Sequence, residues 1–82
     1  MNVPIIVAHR GIHGHLPENS LEALLEAWNR GVNWCECDVR GSSDHVPFLL
    51  HDGTLDRTTD GVGIIEQISS DVVSKVRLRR SI

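Results

Sequence analysis

The order of its hydrophobic segments constrains this chain more than any other feature. Residues 3–8 form a short apolar run rich in β-branched side chains, which predicts a strand buried on both faces. Residues 34–39 predict a second strand, and residues 20–30 predict a helix between the two. A strand, a helix and a strand in that order form a βαβ unit with two parallel strands. The sequence therefore predicts an α/β protein.

The predicted helix has a start signal at its N-terminus and a stop signal at its C-terminus. Asn19 is the predicted N-cap, and Glu22 stands three residues later, as in a capping box. Gly31 is placed for the C-terminal end. An apolar stripe at helical spacing predicts a face in the core, with Trp28 as its largest side chain. The stripe consists of Leu21, Leu24, Leu25 and Trp28.

The segments after residue 40 predict smaller elements. Residues 41–44 predict a turn, and residues 46–50 predict another strand, in which a proline indicates an edge position. Residues 54–63 predict a loop, and the apolar spacing between residues 68 and 76 predicts a helix.

Composition narrows the class of protein. The chain has 82 residues, enough for one small domain of marginal stability. Its 40% hydrophobic and 23% charged residues indicate a globular protein, and its net charge of -3 argues against nucleic acid as a partner. No apolar run approaches the roughly 18 residues of a membrane span, and the N-terminus lacks the basic start of a signal peptide. We therefore expect a cytoplasmic protein without a transmembrane segment.

The two cysteines do not predict a disulfide. On one face of a strand, Cys35 and Cys37 would lie roughly 6.5–7 Å apart, a poor geometry for a bridge. Buried free thiols are the commoner outcome for such residues. A small zinc module that adds His13 and His15 is the alternative.

A pair of acids suggests a metal site. In the predicted second strand, Glu36 and Asp38 are two residues apart and share a face. Two adjacent carboxylates suit Mg²⁺ or Ca²⁺. The alternative is a half-exposed strand whose acids face water. A strand inside a parallel sheet has no wet face, which favours the site.

Three further polar residues follow predicted strands. His9 and Arg10 come after the first strand, and His51 comes after the third. Sites in α/β folds form at the C-terminal ends of strands, so these ends are expected to converge. The histidines are candidates for a general acid and a general base, and Arg10 is a candidate for binding phosphate. Each residue taken alone is more commonly a surface or structural residue.

Together these residues resemble the glycerophosphodiester phosphodiesterase family. The resemblance is carried by three blocks in order: residues 8–11 (AHRG) with 17–20 (PENS), residues 36–40 (ECDVR), and residues 51–52 (HD) with 55–59 (LDRTT). It implies a (β/α)₈, or TIM, barrel of which residues 1–82 are the N-terminal part, namely the βαβ unit followed by a short hairpin and a trailing helix. The barrel is incomplete at this length because a full one takes about 250 residues.

The resemblance also implies the chemistry. It is metal-dependent hydrolysis of a small glycerophosphodiester to glycerol phosphate and an alcohol. The substrate's own glycerol hydroxyl attacks first, and water then opens the cyclic phosphate. On this chain, the resemblance implies that His9 and His51 are the catalytic acid/base pair and that Arg10 binds the phosphate. It also implies that Glu36 and Asp38 are ligands of Mg²⁺ or Ca²⁺, with Asn19 as a neighbour of the metal site.

The chain departs from the family at two points. Residues 41–45 (GSSDH) replace the family's usual turn, and no residue matches the further acidic metal ligand of the next barrel strand. The missing part leaves a non-catalytic remnant or a module completed by a partner chain as alternatives. A sphingomyelinase D-like phospholipase, which has a similar arrangement of histidine and acids, is a further alternative. Unpaired strand edges would provide a route to self-association.

Overall fold

A computed structural model describes residues 5–79 of the chain. Its elements, in order, are strand β1 (Val7–His9), helix α1 (Leu21–Asn29), strands β2 (Trp34–Glu36), β3 (Val39–Gly41) and β4 (Pro47–Leu49), a 3₁₀ helix (Ile65–Gln67) and the short helix α2 (Ser70–Val73). The β1 and β2 strands pair in parallel, whereas β3 and β4 form a separate antiparallel pair. The predicted α/β class and the βαβ order are confirmed.

Helix α1 begins one residue later than a cap at Asn19 would require. Ser20 is the N-cap: its backbone is extended, and its Oγ accepts a hydrogen bond of 3.1 Å from the Ala23 amide. The prediction that Asn19 caps the helix is therefore wrong, because its side chain pairs elsewhere in the chain. At the other end, Gly31 follows the helix with a φ of +78°, as the sequence predicts.

The face of α1 that packs is made of alanines. Ala23 and Ala27 are fully buried, whereas Trp28 is 68% exposed. Gly11 is needed at this contact, because a Cβ at its position would lie 2.6 Å from the Ala23 carbonyl carbon and its φ is +79°. The prediction that the stripe of Leu21, Leu24, Leu25 and Trp28 packs into the core is wrong for Leu21, Leu25 and Trp28. Among residues 5–79, only the alanine side of the helix is covered.

The predicted strand over residues 34–39 is two strands. The parallel pairing of β2 stops at Glu36, and Val39 opposes Leu49 at the start of the β3–β4 hairpin. The Leu50 amide donates a hydrogen bond of 2.9 Å to the Asp38 carbonyl at the junction. The chain therefore changes partner at residues 37–38, where long-range hydrogen bonds outweigh the local alternation of the sequence.

Strand β1 is shorter and more exposed than the sequence predicts. Of the predicted strand over residues 3–8, residues 3–4 lie outside the described part, and the observed strand is Val7–His9. Ile5, Ile6 and Val7 are all exposed, so burial on both faces is wrong for the described chain. The cause is that β1 has β2 as its one paired neighbour there.

The second half of the chain has its own core. Leu50, Leu55, Ile65 and Val73 form a buried cluster, against which Phe48, Ile68 and Val76 pack. The helix predicted between residues 68 and 76 is shorter, because α2 spans Ser70–Val73 and the 3₁₀ helix precedes it. The predicted loop over residues 54–63 contains isolated bridges at Thr54 and Thr59.

Cys35 and Cys37 are free thiols, which confirms that they form no disulfide. Both are exposed, so the expectation of buried thiols is wrong for this structure. Separately, none of the helices between residues 5 and 79 has the length and apolar content needed to cross a membrane.

Candidate active site

The ends of the two parallel strands bring together the first histidine and the first carboxylate. His9 is the register partner of Glu36, and in-register residues of parallel strands point to the same face. The His9 Nε2 atom lies 3.5 Å from Glu36 Oε2, with both side chains partly exposed. A backbone hydrogen bond of 2.7 Å from the Arg10 amide to the Glu36 carbonyl continues the pairing by one residue. The expected convergence therefore holds for these two strand ends.

Asn19 holds Asp38 just beyond the end of β2. The Asn19 Nδ2 donates to Asp38 Oδ2 at 3.1 Å, and the Asp38 amide donates to Asn19 Oδ1 at 3.0 Å. Asn19 is buried and has a φ of +53°, a conformation that asparagine tolerates better than most residues. Both ends of its carboxamide are thus used to position Asp38.

Arg10 lies between two carboxylates. Its Nη1 donates to Glu18 Oε2 at 3.1 Å, and its Nε lies 3.5 Å from Asp38 Oδ2. The Nε atom is buried without a hydrogen-bond partner in the described part of the chain. Neither contact uses Nη2. Arg10 also has a φ of +60°, an unfavourable backbone conformation that costs on the order of 1–3 kcal/mol and is often found at functional sites.

His51 follows the antiparallel strand β4, so it does not share the strand edge of His9. Its carbonyl accepts hydrogen bonds of 3.1 and 2.8 Å from Nε and Nη2 of Arg40. Its Nδ1 lies 2.9 Å from Asp52 Oδ1. The antiparallel pairing of β3 and β4 confirms the predicted short hairpin, and side chains connect its end to the ends of β1 and β2.

The connection is an ion-pair network that sequence reasoning missed. Arg57 donates to Glu18 through Nη1 at 2.8 Å and Nη2 at 2.9 Å, and to Asp52 through Nε at 2.8 Å and Nη2 at 3.1 Å. Glu18 also accepts from Arg10, and Asp52 contacts His51. Glu18, Asp52 and Arg57 all lie inside the motif blocks quoted above. No pattern in the sequence pairs Arg57 with Glu18, because the two are 39 positions apart.

The network favours charged forms of all three groups. Hydrogen bonds from Arg57 lower the pKa of Glu18 below its ordinary value of 4.5, against a smaller desolvation effect. The same guanidinium, with a smaller contribution from His51, holds the pKa of Asp52 well below its usual range. The pKa of Arg57 is raised in turn, chiefly by Glu18 and then by Asp52. These ion pairs therefore persist at neutral pH.

The predicted metal ligands fit a hard cation in chemical type. Glu36, the last residue of β2, and Asp38, two residues further on, both carry carboxylate oxygens on partly exposed side chains. Within residues 5–79, no group of three or more His, Cys, Asp or Glu side chains is arranged to hold a metal ion. The carboxylate pair thus needs ligands beyond these side chains, and the zinc alternative on Cys35 and Cys37 gains no support.

A cleft of about 280 Å³ is lined in part by the Glu18–Arg57 pair. His13, Leu16 and Arg79 contribute to its walls. His9, His51, Glu36 and Asp38 are not among the residues that line it.

Most of the chain matches a known protein family. Residues 9–81 match the glycerophosphoryl diester phosphodiesterase family. Glycerophosphodiester phosphodiesterase 1 of Rattus norvegicus is 43% identical over 70 residues, which cover 85% of this chain and 21% of that protein. A glycerophosphodiester phosphodiesterase of Caldanaerobacter subterraneus is 33% identical over 72 residues, or 88% of this chain and 30% of that protein. The chain thus spans between a fifth and a third of these relatives.

Solved structures of phosphodiesterases also superpose on this chain. A phosphodiesterase from Oleispira antarctica in complex with the product sn-glycerol-3-phosphate superposes with a TM-score of 0.84 and 41% identity, covering 89% of this chain and 30% of that one. A glycerophosphodiester phosphodiesterase from Agrobacterium tumefaciens superposes with a TM-score of 0.83 and 40% identity, covering 85% and 30%.

Proposed function

Because this chain belongs to the glycerophosphoryl diester phosphodiesterase family, we propose that residues 1–82 are the N-terminal part of a (β/α)₈ phosphodiesterase barrel. The βαβ unit supports this, as do the solved structures of which the chain covers about 30%. Exposed apolar side chains on β1 and α1 also support it, since further barrel layers would cover them. The chain alone is then incomplete.

The proposed reaction is hydrolysis of a small glycerophosphodiester to glycerol phosphate and an alcohol. The observation that carries this proposal is the contact of His9 with Glu36 at the ends of two parallel strands, in a chain similar to a phosphodiesterase solved with sn-glycerol-3-phosphate. His9 and His51 are the proposed acid/base pair. One takes the proton of the attacking hydroxyl, and the other protonates the leaving oxygen.

Two further groups handle the phosphate in this proposal. Arg10 offers Nη2 to a phosphate oxygen, because its other contacts hold the guanidinium in place without using that atom. Glu36 and Asp38 would hold a divalent cation, Mg²⁺ or Ca²⁺, with Asn19 fixing the second carboxylate. When bound, the cation neutralises charge that develops on the phosphoryl oxygens.

A non-catalytic role is the second candidate. Ile5, Leu21 and Trp28 are exposed, which also fits a module completed by a partner chain or self-associated through its open edges. Sedimentation of the 82-residue chain at micromolar concentration tests self-association, which predicts a mass above 9.1 kDa. The relatives described above give the sphingomyelinase D-like alternative no support.

A hybrid protein tests the proposed activity. Residues 1–82 replace the matching N-terminal segment of the Agrobacterium tumefaciens phosphodiesterase, and hydrolysis of glycerophosphocholine is assayed with Mg²⁺, Ca²⁺ or a chelator. We expect metal-dependent turnover by the hybrid and none by the 82-residue chain alone.

Two results would overturn the proposal. A folded hybrid that is inactive with both metals would refute the assigned chemistry. Turnover by the short chain, abolished by His9→Ala, would show that it is already a complete enzyme.

A further inference from the structure

We propose that Arg57 is a positioning residue that orients two groups of the site at once, holding His51 through Asp52 and Arg10 through Glu18. This inference rests on the proposed function, because it assigns Arg57 a task within that same site. Within residues 5–79, the ion pairs and side-chain hydrogen bonds of Arg57 go to Glu18 and Asp52, and not to His51 or Arg10 themselves. It acts through the two carboxylates that it bridges.

The first task concerns the imidazole of His51. Its Nδ1 lies 2.9 Å from Asp52 Oδ1, and an ionised carboxylate only accepts hydrogen bonds. The proton of the neutral ring is therefore held on Nδ1, which leaves Nε2 as the atom that exchanges protons with substrate. The carboxylate is itself fixed, because Arg57 donates to both of its oxygens.

The second task concerns the guanidinium of Arg10. Glu18 is only 13% exposed, and Arg57 donates to both of its oxygens. The Oε2 atom of Glu18 also accepts from Arg10 Nη1 at 3.1 Å. This contact holds the Arg10 guanidinium from one side, while its Nε lies beside Asp38.

Arginine is the side chain that suits this position. Its planar guanidinium presents five donors in a fixed geometry, and here three nitrogens serve two carboxylates. A lysine would bring the same charge but not the planar fork. The bridge also joins residue 57 to residue 18, so it ties together two parts of the site that are far apart in sequence.

The test compares Arg57→Gln and Arg57→Lys with wild type. Arg30→Gln is the matched control, because Arg30 makes one ion pair, with Glu26, on the surface of α1. The ¹⁵N spectrum of the His51 ring is recorded in the 82-residue chain and in the hybrid, with His51→Ala providing the assignment. Kinetics of glycerophosphocholine hydrolysis are measured in the hybrid.

We expect the Nδ1–H form of His51 in wild type and in Arg30→Gln, and a mixture of both tautomers in the two Arg57 variants. We also expect kcat to fall on the order of 10–100-fold in both Arg57 variants, since a misplacement of about 1 Å can cost a hundredfold. Lysine should not rescue the loss. A purely structural role would lower the folded fraction without changing the tautomer of the molecules that remain folded.

The outcomes separate this inference from the proposed function. An inactive hybrid in which the His51 tautomer still depends on Arg57 would refute the function and support the positioning role. An active hybrid whose His51 spectrum and kcat are unchanged by Arg57→Gln would refute the positioning role alone. If Arg57→Gln does not fold, Arg57→Lys decides by the same two readouts.

Discussion

The two halves of this molecule bury their apolar side chains very differently. Residues 5–36, the parallel half, bury mainly small side chains, among them Ala8, Ala23 and Ala27, while Trp28 remains 68% exposed. Residues 39–79, the hairpin half, bury a cluster that contains Leu50, Leu55, Ile65 and Val73. Both halves have apolar patterning in their sequences, so patterning alone does not set burial.

The physical reason is the type of strand pairing. Parallel strands bury both faces, and therefore need layers of structure on each side. An antiparallel hairpin needs cover on one side, which the 3₁₀ helix and α2 supply from nearby in the chain. The candidate site draws on both halves, with His9 and Glu36 from one and His51 from the other. The Glu18–Arg57–Asp52 network joins them.

The largest expected effect tests whether the site needs both halves. In the hybrid, His51→Ala should lower kcat on the order of 10²–10⁴-fold, the usual contribution of a general acid or base. The control is His15→Ala, because His15 is exposed in the loop before α1 and has no assigned role. If His9→Ala abolished turnover and His51→Ala left it unchanged, the steady-state kinetics would contradict the claim that the site needs both halves.

The next effect tests the difference in burial directly. Ile65 is fully buried, so Ile65→Ala should lower the free energy of unfolding by about 2–5 kcal/mol. Leu25 is 51% exposed on α1, so Leu25→Ala should change the free energy of unfolding by no more than about 0.5 kcal/mol. Urea unfolding measures both, followed at amides of the hairpin half for Ile65→Ala and at amides of α1 for Leu25→Ala. Equal losses would mean that the two halves do not differ in burial as described.

A smaller effect tests where α1 begins. Ser20→Ala removes the observed N-cap and should cost about 1 kcal/mol in the stability of the parallel half. Ser43→Ala is the control, since Ser43 is exposed in the β3–β4 turn. The readout is hydrogen exchange at the amides of α1. No change with Ser20→Ala would argue against Ser20 as the cap.

The smallest effect tests the network between the halves. The lowered pKa values of Glu18 and Asp52 mean that their ion pairs stabilise the fold above their unfolded pKa values of about 4, and that this stability is lost as the pH falls through the lower folded values. Wild type should therefore be more stable than Arg57→Gln at pH 7, and the difference should shrink below about pH 4.

Urea midpoints measured between pH 7 and pH 3 check this dependence on acid. Arg30→Gln serves as the control, because its one ion pair lies on the surface of α1 away from Glu18 and Asp52. A difference between wild type and Arg57→Gln that stays constant across this range would mean that Arg57 stabilises the fold by other means.

The elements that the sequence predicts well are those set by neighbouring residues. The βαβ order, the helix to within a residue at each end and the glycine after it all follow from local periodicity and capping preferences. Apart from Ala8, the residues quoted for the family resemblance also lie in the segment that matches the family, residues 9–81. Local chemistry is sufficient for these features.

Tertiary structure decided the features that depend on a distant partner. Asn19 has a side chain suited to cap a helix, yet it pairs with Asp38. Ser20 caps the helix instead. Arg57 has no local signal for its role, because its partner Glu18 is 39 residues away. A polar group takes whichever partner the fold brings within hydrogen-bond distance, and a sequence specifies that partner only through the whole fold.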